Sequence, residues 1–145
     1  MKWEMGNFGL CPRGARGYVA RMEHSAGFLK IVNEVRPRVE EISLAEARER
    51  LAKNPGTVLV DVREDSEWNA GHAVKAVHLG RGVLERDIER IFPDPATELI
   101  LYCGGGFRSA LAADVAQRMG YSRVFSLAGG FRAMTVANWA TEKGS

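Results

Sequence analysis

The chain has 145 residues, 46% of them apolar, and a formal charge of +2, so it can bury the core of one domain without a disulfide or metal staple. Its two cysteines, Cys11 and Cys103, form no paired pattern, which excludes a disulfide scaffold and predicts a reducing, cytoplasmic setting. No apolar run is long enough to cross a bilayer, residues 1–22 lack the apolar centre of a secretory signal, and no basic stripe is interleaved with aromatics, so neither membrane nor nucleic acid is an expected partner.

The charge is uneven. Residues 1–40 hold seven Lys/Arg against four Asp/Glu, leaving thirteen against fourteen for the remainder. Residues 1–20 are rich in Gly and Arg and have no period, which reads as loop or disorder, with an organelle-targeting peptide as the alternative. The stretch HSAGFLKIVNEVRP puts Phe28, Ile31, Val32 and Val35 on one stripe, predicting a short helix that Pro37 ends. Such a stripe packs on its own domain, with partner docking as the alternative. RPRVEE reads as a solvated junction. Residues 1–40 are thus an N-terminal extension, partly disordered with one short helix, and residues 41–145 the folded domain.

From Ser43 onward helix and strand signals alternate. Ser43 followed by Glu46 is a capping box for LAEARERLAKN, and Pro55 with Gly56 stops that helix before the strand TVLVD. KAVHL is a short strand, VLERDIERIF a helix, ELILYC a strand, and RSALAADVAQRM a helix closed by Gly120. RVFSL is a strand that leads through Gly129 and Gly130 into FRAMTVANWATEK. Helices between short buried strands predict a three-layer α/β domain with a mostly parallel sheet, free of repeats and low-complexity tracts.

Cys103 falls at the end of one such strand, and ligands bind outside the carboxyl ends of parallel strands. Gly104, Gly105 and Gly106 let the backbone curl its N–H groups around an anion above the next helix. Arg108 and the helix start both favour negative charge at the sulfur. The competing reading is a small buried cysteine followed by an ordinary strand-to-helix turn. No Lys-Ser or Lys-Thr follows the glycines, which argues against a nucleotide-binding loop.

The segment Cys103-Gly-Gly-Gly-Phe-Arg108-Ser109 resembles the C-x-x-G-x-R-S active-site loop of single-domain rhodanese-like sulfurtransferases. LVDVRE, GHAVKAVHL and LAGGFRAM resemble three further family motifs in family order, covering about residues 41–140. The resemblance implies a central, mostly parallel sheet of about five strands flanked by helices. It implies that Cys103 is a nucleophile that takes a sulfane sulfur from thiosulfate or a related donor, forms a persulfide, and yields the sulfur to cyanide, a thiol or a protein acceptor. Gly104, Gly105, Gly106, Phe107 and Ser109 would form the substrate-binding loop. Arg108 would bind the anion or pin the loop. Asp61 and Arg63 would support the site, with the Asp61 carboxylate at its strand end accepting from neighbouring loop amides. No cofactor and no metal are expected: Glu67, His72 and His78 lie close in sequence, but they fit a turn and a strand edge better than a ligand set.

Three residues depart from the family pattern: Val74 stands where proline is frequent, Lys75 where glycine is usual, and Met134 where an aromatic is common. They put the local turn and the pocket rim in question. The competing enzyme class is the cysteine phosphatases and arsenate reductases, whose loop places five residues between Cys and Arg, against four here. A noncatalytic binding or sulfur-relay module is the competing reading from outside enzymology.

Overall fold

The computed structural model describes residues 24–144, which divide into two units between Lys30 and Ile31. Cys11 and the Gly/Arg-rich stretch lie outside the described residues. Helix α1 (Ala26–Val35) crosses the division. At its start the Phe28 N–H donates to the Ser25 hydroxyl at 3.3 Å. Of the expected stripe, Val32 and Val35 are buried, while Ile31 is 45% exposed.

The core of residues 31–145 is a five-stranded sheet built from β1 (Glu40–Ile42), β2 (Val58–Asp61), β4 (Val77–His78), β5 (Leu99–Tyr102) and β6 (Val124–Leu127), in the order β1-β6-β5-β2-β4. Every pairing in it is parallel. The expected three-layer α/β fold is therefore the observed one. β5 lies at its centre, and all four of its residues are buried, which is why it reads as an unbroken apolar run rather than an alternation.

Strand alternation distributes that run between two cores. Leu99, Leu101 and Cys103 pack with Leu84 and Ile88 of α4 (Leu84–Ile91) and with Ala112, Ala113 and Ala116 of α5 (Phe107–Arg118). Ile100 and Tyr102 point the other way, toward Ala47 of α2 (Leu44–Lys53) and Met134 of α6 (Gly130–Val136). The alanines of α5 let that helix lie close against the sheet. Its buried Asp114 takes two hydrogen bonds from Arg38, at 3.0 and 3.1 Å, fastening the 3-10 turn Arg36–Arg38 to α5. At the amino end of the sheet, buried Glu98 is held by Arg50 at 3.0 Å, Arg123 at 2.6 Å and Asn54 at 3.2 Å.

Several local expectations change. RPRVEE leads into an edge strand, β1, which pairs with β6 from Glu40 to Ile42. The Ser43 hydroxyl accepts from Glu46 N–H at 3.1 Å as expected, but the Glu46 carboxylate turns to Arg50 at 3.5 Å instead of back to the cap. A short helix, α3 (Asp65–Ala70), occupies what reads as a turn. The segment FRAMTVANWATEK is helical only to Val136. Asn138 then takes a positive φ of 58°, and β7 (Thr141–Glu142) pairs antiparallel with β3 (His72–Ala73). Val74 N–H donates to Ala140 O at 3.0 Å and so extends that ribbon, a bond that proline could not make. Lys75 keeps a left-handed φ of 72° although it carries a side chain. Met134 is fully buried and fills the second core.

Candidate active site

β5 delivers Cys103 to the carboxyl end of the sheet, where the chain turns through three glycines into α5. The cysteine is completely buried. Its Sγ accepts the backbone N–H of Gly106 at 3.1 Å and of Ser109 at 3.3 Å. The thiol lies 3.6 Å from the Ser109 hydroxyl, which is bonded to the Ser126 hydroxyl at 2.8 Å. The sulfur thus sits against the first turn of α5 with hydrogen-bond donors directed at it, an arrangement that favours negative charge there. Among the described residues the backbone donors to the sulfur are those of Gly106 and Ser109. The carbonyls of Cys103 and Gly104 face α6, accepting from Phe131 N–H at 2.7 Å and Arg132 N–H at 3.1 Å.

Two glycines make this geometry possible. Gly106 has φ 101°, and a Cβ there would meet Gly129 N at 3.2 Å. Gly130 has φ 54°, and a Cβ there would lie 2.4 Å from Cys103 O and 2.8 Å from Gly104 C. Only a glycine lets α6 approach the cysteine loop this closely.

Arg108 leaves α5 on the opposite side of the loop and forms a two-pronged pair with Glu67 of α3, at 2.8 and 3.0 Å. Those hydrogen bonds hold the Glu67 carboxyl below the usual range, against the opposing effect of burial. They also raise the Arg108 pKa, again opposed by burial. Glu67 also accepts the Glu64 N–H at 3.1 Å, so one carboxylate caps α3 and anchors the loop. The Arg108 guanidinium thus joins the first turn of α5 to α3.

Asp61, at the end of β2, is buried and accepts from Arg63, through the backbone N–H at 2.9 Å and the guanidinium at distances down to 2.7 Å. The amide it receives is that of Arg63, in the loop that follows β2. Burial works against the charge of Arg63, and Asp61 together with Tyr102 and Glu67 outweighs it, holding the pKa above the ordinary arginine value. Arg63 donates to Gly71 O at 2.7 Å and lies 4.2 Å over the Phe131 ring, next to the start of α6. Burial, then Asp61, pushes the Tyr102 phenol up; its oxygen accepts the Ala73 N–H at 3.0 Å.

The other expected residues fall as follows. Phe107 opens α5 with the Arg36 guanidinium 4.8 Å over its ring. His72 and His78 both stack on Trp68, at 3.4 and 4.7 Å between ring centroids. Each uses a ring N–H on a carbonyl, His72 Nδ1 on Trp68 O at 2.8 Å and His78 Nε2 on Arg63 O at 2.9 Å. Three residues at the site escape the sequence reading. Glu67 is read as part of a turn; Ser126 shows only as a hydroxyl within a buried strand; Arg132 shows only as a cation beside the paired glycines.

Residues 43–137 match the family model for the rhodanese-like domain. The chain belongs to that family. A protein of unknown function from Rhodopseudomonas palustris, described as a possible tyrosine phosphatase, is 30% identical; the match covers 84% of this chain and 98% of that one, with a TM-score of 0.73. The polysulfide-sulfur transferase homodimer of Wolinella succinogenes is 25% identical over 83% of this chain and 90% of its own, with a TM-score of 0.69. The thiosulfate sulfurtransferase of Pseudomonas aeruginosa, 22% identical over 77% of this chain and 22% of its own with a TM-score of 0.68, shares the fold. Membership in the rhodanese-like sulfurtransferase superfamily follows. Among the described residues no helix is long and apolar enough to cross a membrane.

Proposed function

We propose that this rhodanese-like domain is a sulfurtransferase that works through a Cys103 persulfide. The observation that carries the reading is the sulfur at the base of the glycine loop, receiving the N–H groups of Gly106 and Ser109. The Cys103 thiolate attacks the outer sulfur of thiosulfate, the donor's S–S bond breaks, and its electron pair leaves with sulfite. Cyanide or a thiol then attacks the outer sulfur of the persulfide and returns the thiolate. The thiolate that starts the first half-reaction, and that the second regenerates, carries its charge on the atom the two amides already address. Small anionic donors suit this scheme; polysulfide belongs with thiosulfate on the strength of the Wolinella relative.

A second reading, cysteine phosphatase chemistry, draws support from the description of the Rhodopseudomonas relative. Two features weigh against it: only four residues separate Cys103 from Arg108, and Arg108 has both terminal nitrogens on Glu67. Purified protein incubated with thiosulfate gains the mass of one sulfur atom on Cys103, and the gain disappears in Cys103→Ser and persists in Cys11→Ser. Thiocyanate then forms on addition of cyanide while aryl phosphate hydrolysis stays at background. Sulfur found only on Cys11, or phosphatase turnover without thiocyanate, refutes the proposal.

A further inference from the structure

Two guanidiniums flank the glycine turn above Cys103, and they differ in their counter-charge. A Cβ at Gly104 would meet Arg108 Nη2 at 3.0 Å, and a Cβ at Gly105 would meet Arg132 Nη1 at 3.1 Å. Arg108 is neutralised by Glu67. Arg132 is exposed, and among the described residues its guanidinium has neither a carboxylate partner nor a hydrogen-bond acceptor. Its backbone is nevertheless fixed, because Arg132 N–H donates to Gly104 O at 3.1 Å and the preceding Phe131 N–H to Cys103 O at 2.7 Å. The root of this cation is fastened to the cysteine loop and its head is available. With Gly105, Gly129, Ala133 and Val136 it lines an open depression of about 370 Å³. None of those four neighbours carries a charge, so no carboxylate in the depression competes for the guanidinium.

We infer that Arg132 is the donor-binding cation of the site: it holds the oxyanion end of a small dianionic sulfane-sulfur donor at the mouth of the glycine loop. The inference rests on the sulfurtransferase reading and names its donor class. Charge balance fixes the kinetic signature. A thiolate of charge −1 and thiosulfate of charge −2 become a persulfide anion of charge −1 and sulfite of charge −2. The oxyanion end is thus anionic before and after the S–S bond breaks, and Arg132 meets it in the ground state as in the transition state. Contact of that kind lowers KM and leaves kcat nearly unchanged. Because the cation is exposed, salt screens it.

The test compares wild type, Arg132→Gln and Arg132→Lys in thiosulfate:cyanide turnover, with methanethiosulfonate, a monoanion, as the second donor. In Arg132→Gln the KM for thiosulfate rises about tenfold with kcat within about twofold, the KM for methanethiosulfonate rises less, and the dependence of KM on added salt flattens. Arg132→Lys restores part of the loss, and the thermal midpoints of all three proteins agree. A KM for thiosulfate within twofold of wild type in Arg132→Gln, or a fall in kcat with KM unchanged, overturns the inference.

A second measurement separates it from the reading it rests on. Thiosulfate titrated into Cys103→Ser protein shifts the Gly105 and Gly106 amide resonances saturably, and Cys103→Ser/Arg132→Gln abolishes the response. If that response holds and wild type forms no persulfide, the Cys103 chemistry is wrong and the anion site stands. If wild type forms persulfide and the response ignores Arg132, the site is wrong and the chemistry stands.

Discussion

Alanine at Gly130 tests whether the close approach of α6 is what holds the cysteine loop. The new Cβ would stand 2.4 Å from Cys103 O and 2.8 Å from Gly104 C, both backbone atoms that cannot rotate away. The left-handed φ of 54° itself costs an L-residue about 1–2 kcal/mol, partly offset by about 0.4–1 kcal/mol from a stiffer unfolded chain. Relieving the overlap requires α6 to back off, which stretches the bonds Phe131 N–H to Cys103 O and Arg132 N–H to Gly104 O, each contributing about 1 kcal/mol. The sum is a destabilisation of about 3 kcal/mol, or about 10–15 °C in thermal midpoint for a domain of this size. Lys75→Gly calibrates the conformational part, since Lys75 already carries a side chain at φ 72°; relief of that conformation stabilises by about 1 kcal/mol or less after the entropy of glycine is deducted. Urea denaturation of both variants measures the two effects, and persulfide loading of Gly130→Ala falls with its stability. A Gly130→Ala loss no larger than the Lys75→Gly gain refutes the argument, because the overlap would then cost nothing.

Glu67→Gln removes one charge from a pair whose side chains are each about one third exposed, so solvent screening keeps the loss near ~1 kcal/mol. Since Arg108 lowers the Glu67 pKa in the folded protein, that stability is present above the ordinary glutamate value and is lost as pH falls through the lowered one. The gap between wild type and variant in urea denaturation therefore closes in the acid range, and a gap that persists there contradicts the assignment. Tyr102→Phe leaves the Ala73 N–H without its acceptor at a cost of about 1–3 kcal/mol. The Tyr102 phenol is pushed up by burial and then by Asp61, so its contribution is present below the ordinary tyrosine pKa and declines as pH rises toward the folded value; denaturation at alkaline pH should show the gap narrowing.

What the sequence makes legible is what short-range chemistry decides. The apolar run before Cys103, the three glycines and the alanine-rich helix specify a buried parallel strand, a tight turn and a closely packed helix, and all three stand where expected. The strands β1, β3, β4 and β7 are two or three residues long, too short to carry a period, and β7 exists through pairing with a segment far away in sequence. Helix α3 has six residues and no apolar stripe, so its Glu67 reads as a turn residue although it reaches Arg108 across 41 positions. Asp61 lies at the strand end as expected, but its partner is set by side-chain direction: Arg63 folds back and takes both oxygens. A motif can name the residues around a sulfur without naming which of them touch it.

The two arginines at the loop show why that distinction governs the chemistry. In a phosphoryl site the arginine that ends the cysteine loop must turn its donors inward, onto the oxygens around a transferring group. Here Arg108 has both terminal nitrogens on Glu67, and recruiting it for such a group would break two charge-assisted hydrogen bonds. A sulfane sulfur makes no comparable demand: it is a single atom attached to Sγ, the atom to which the Gly106 and Ser109 N–H groups already donate. Arg108 therefore joins the start of α5 to α3, while Arg132, whose backbone is fastened to the cysteine loop, has no carboxylate partner among the described residues. On the proposed sulfur-transfer reading, one cation braces the four-residue loop and the other meets the donor, and the Arg132 variants test whether the donor's charge is selected by a residue outside the cysteine motif.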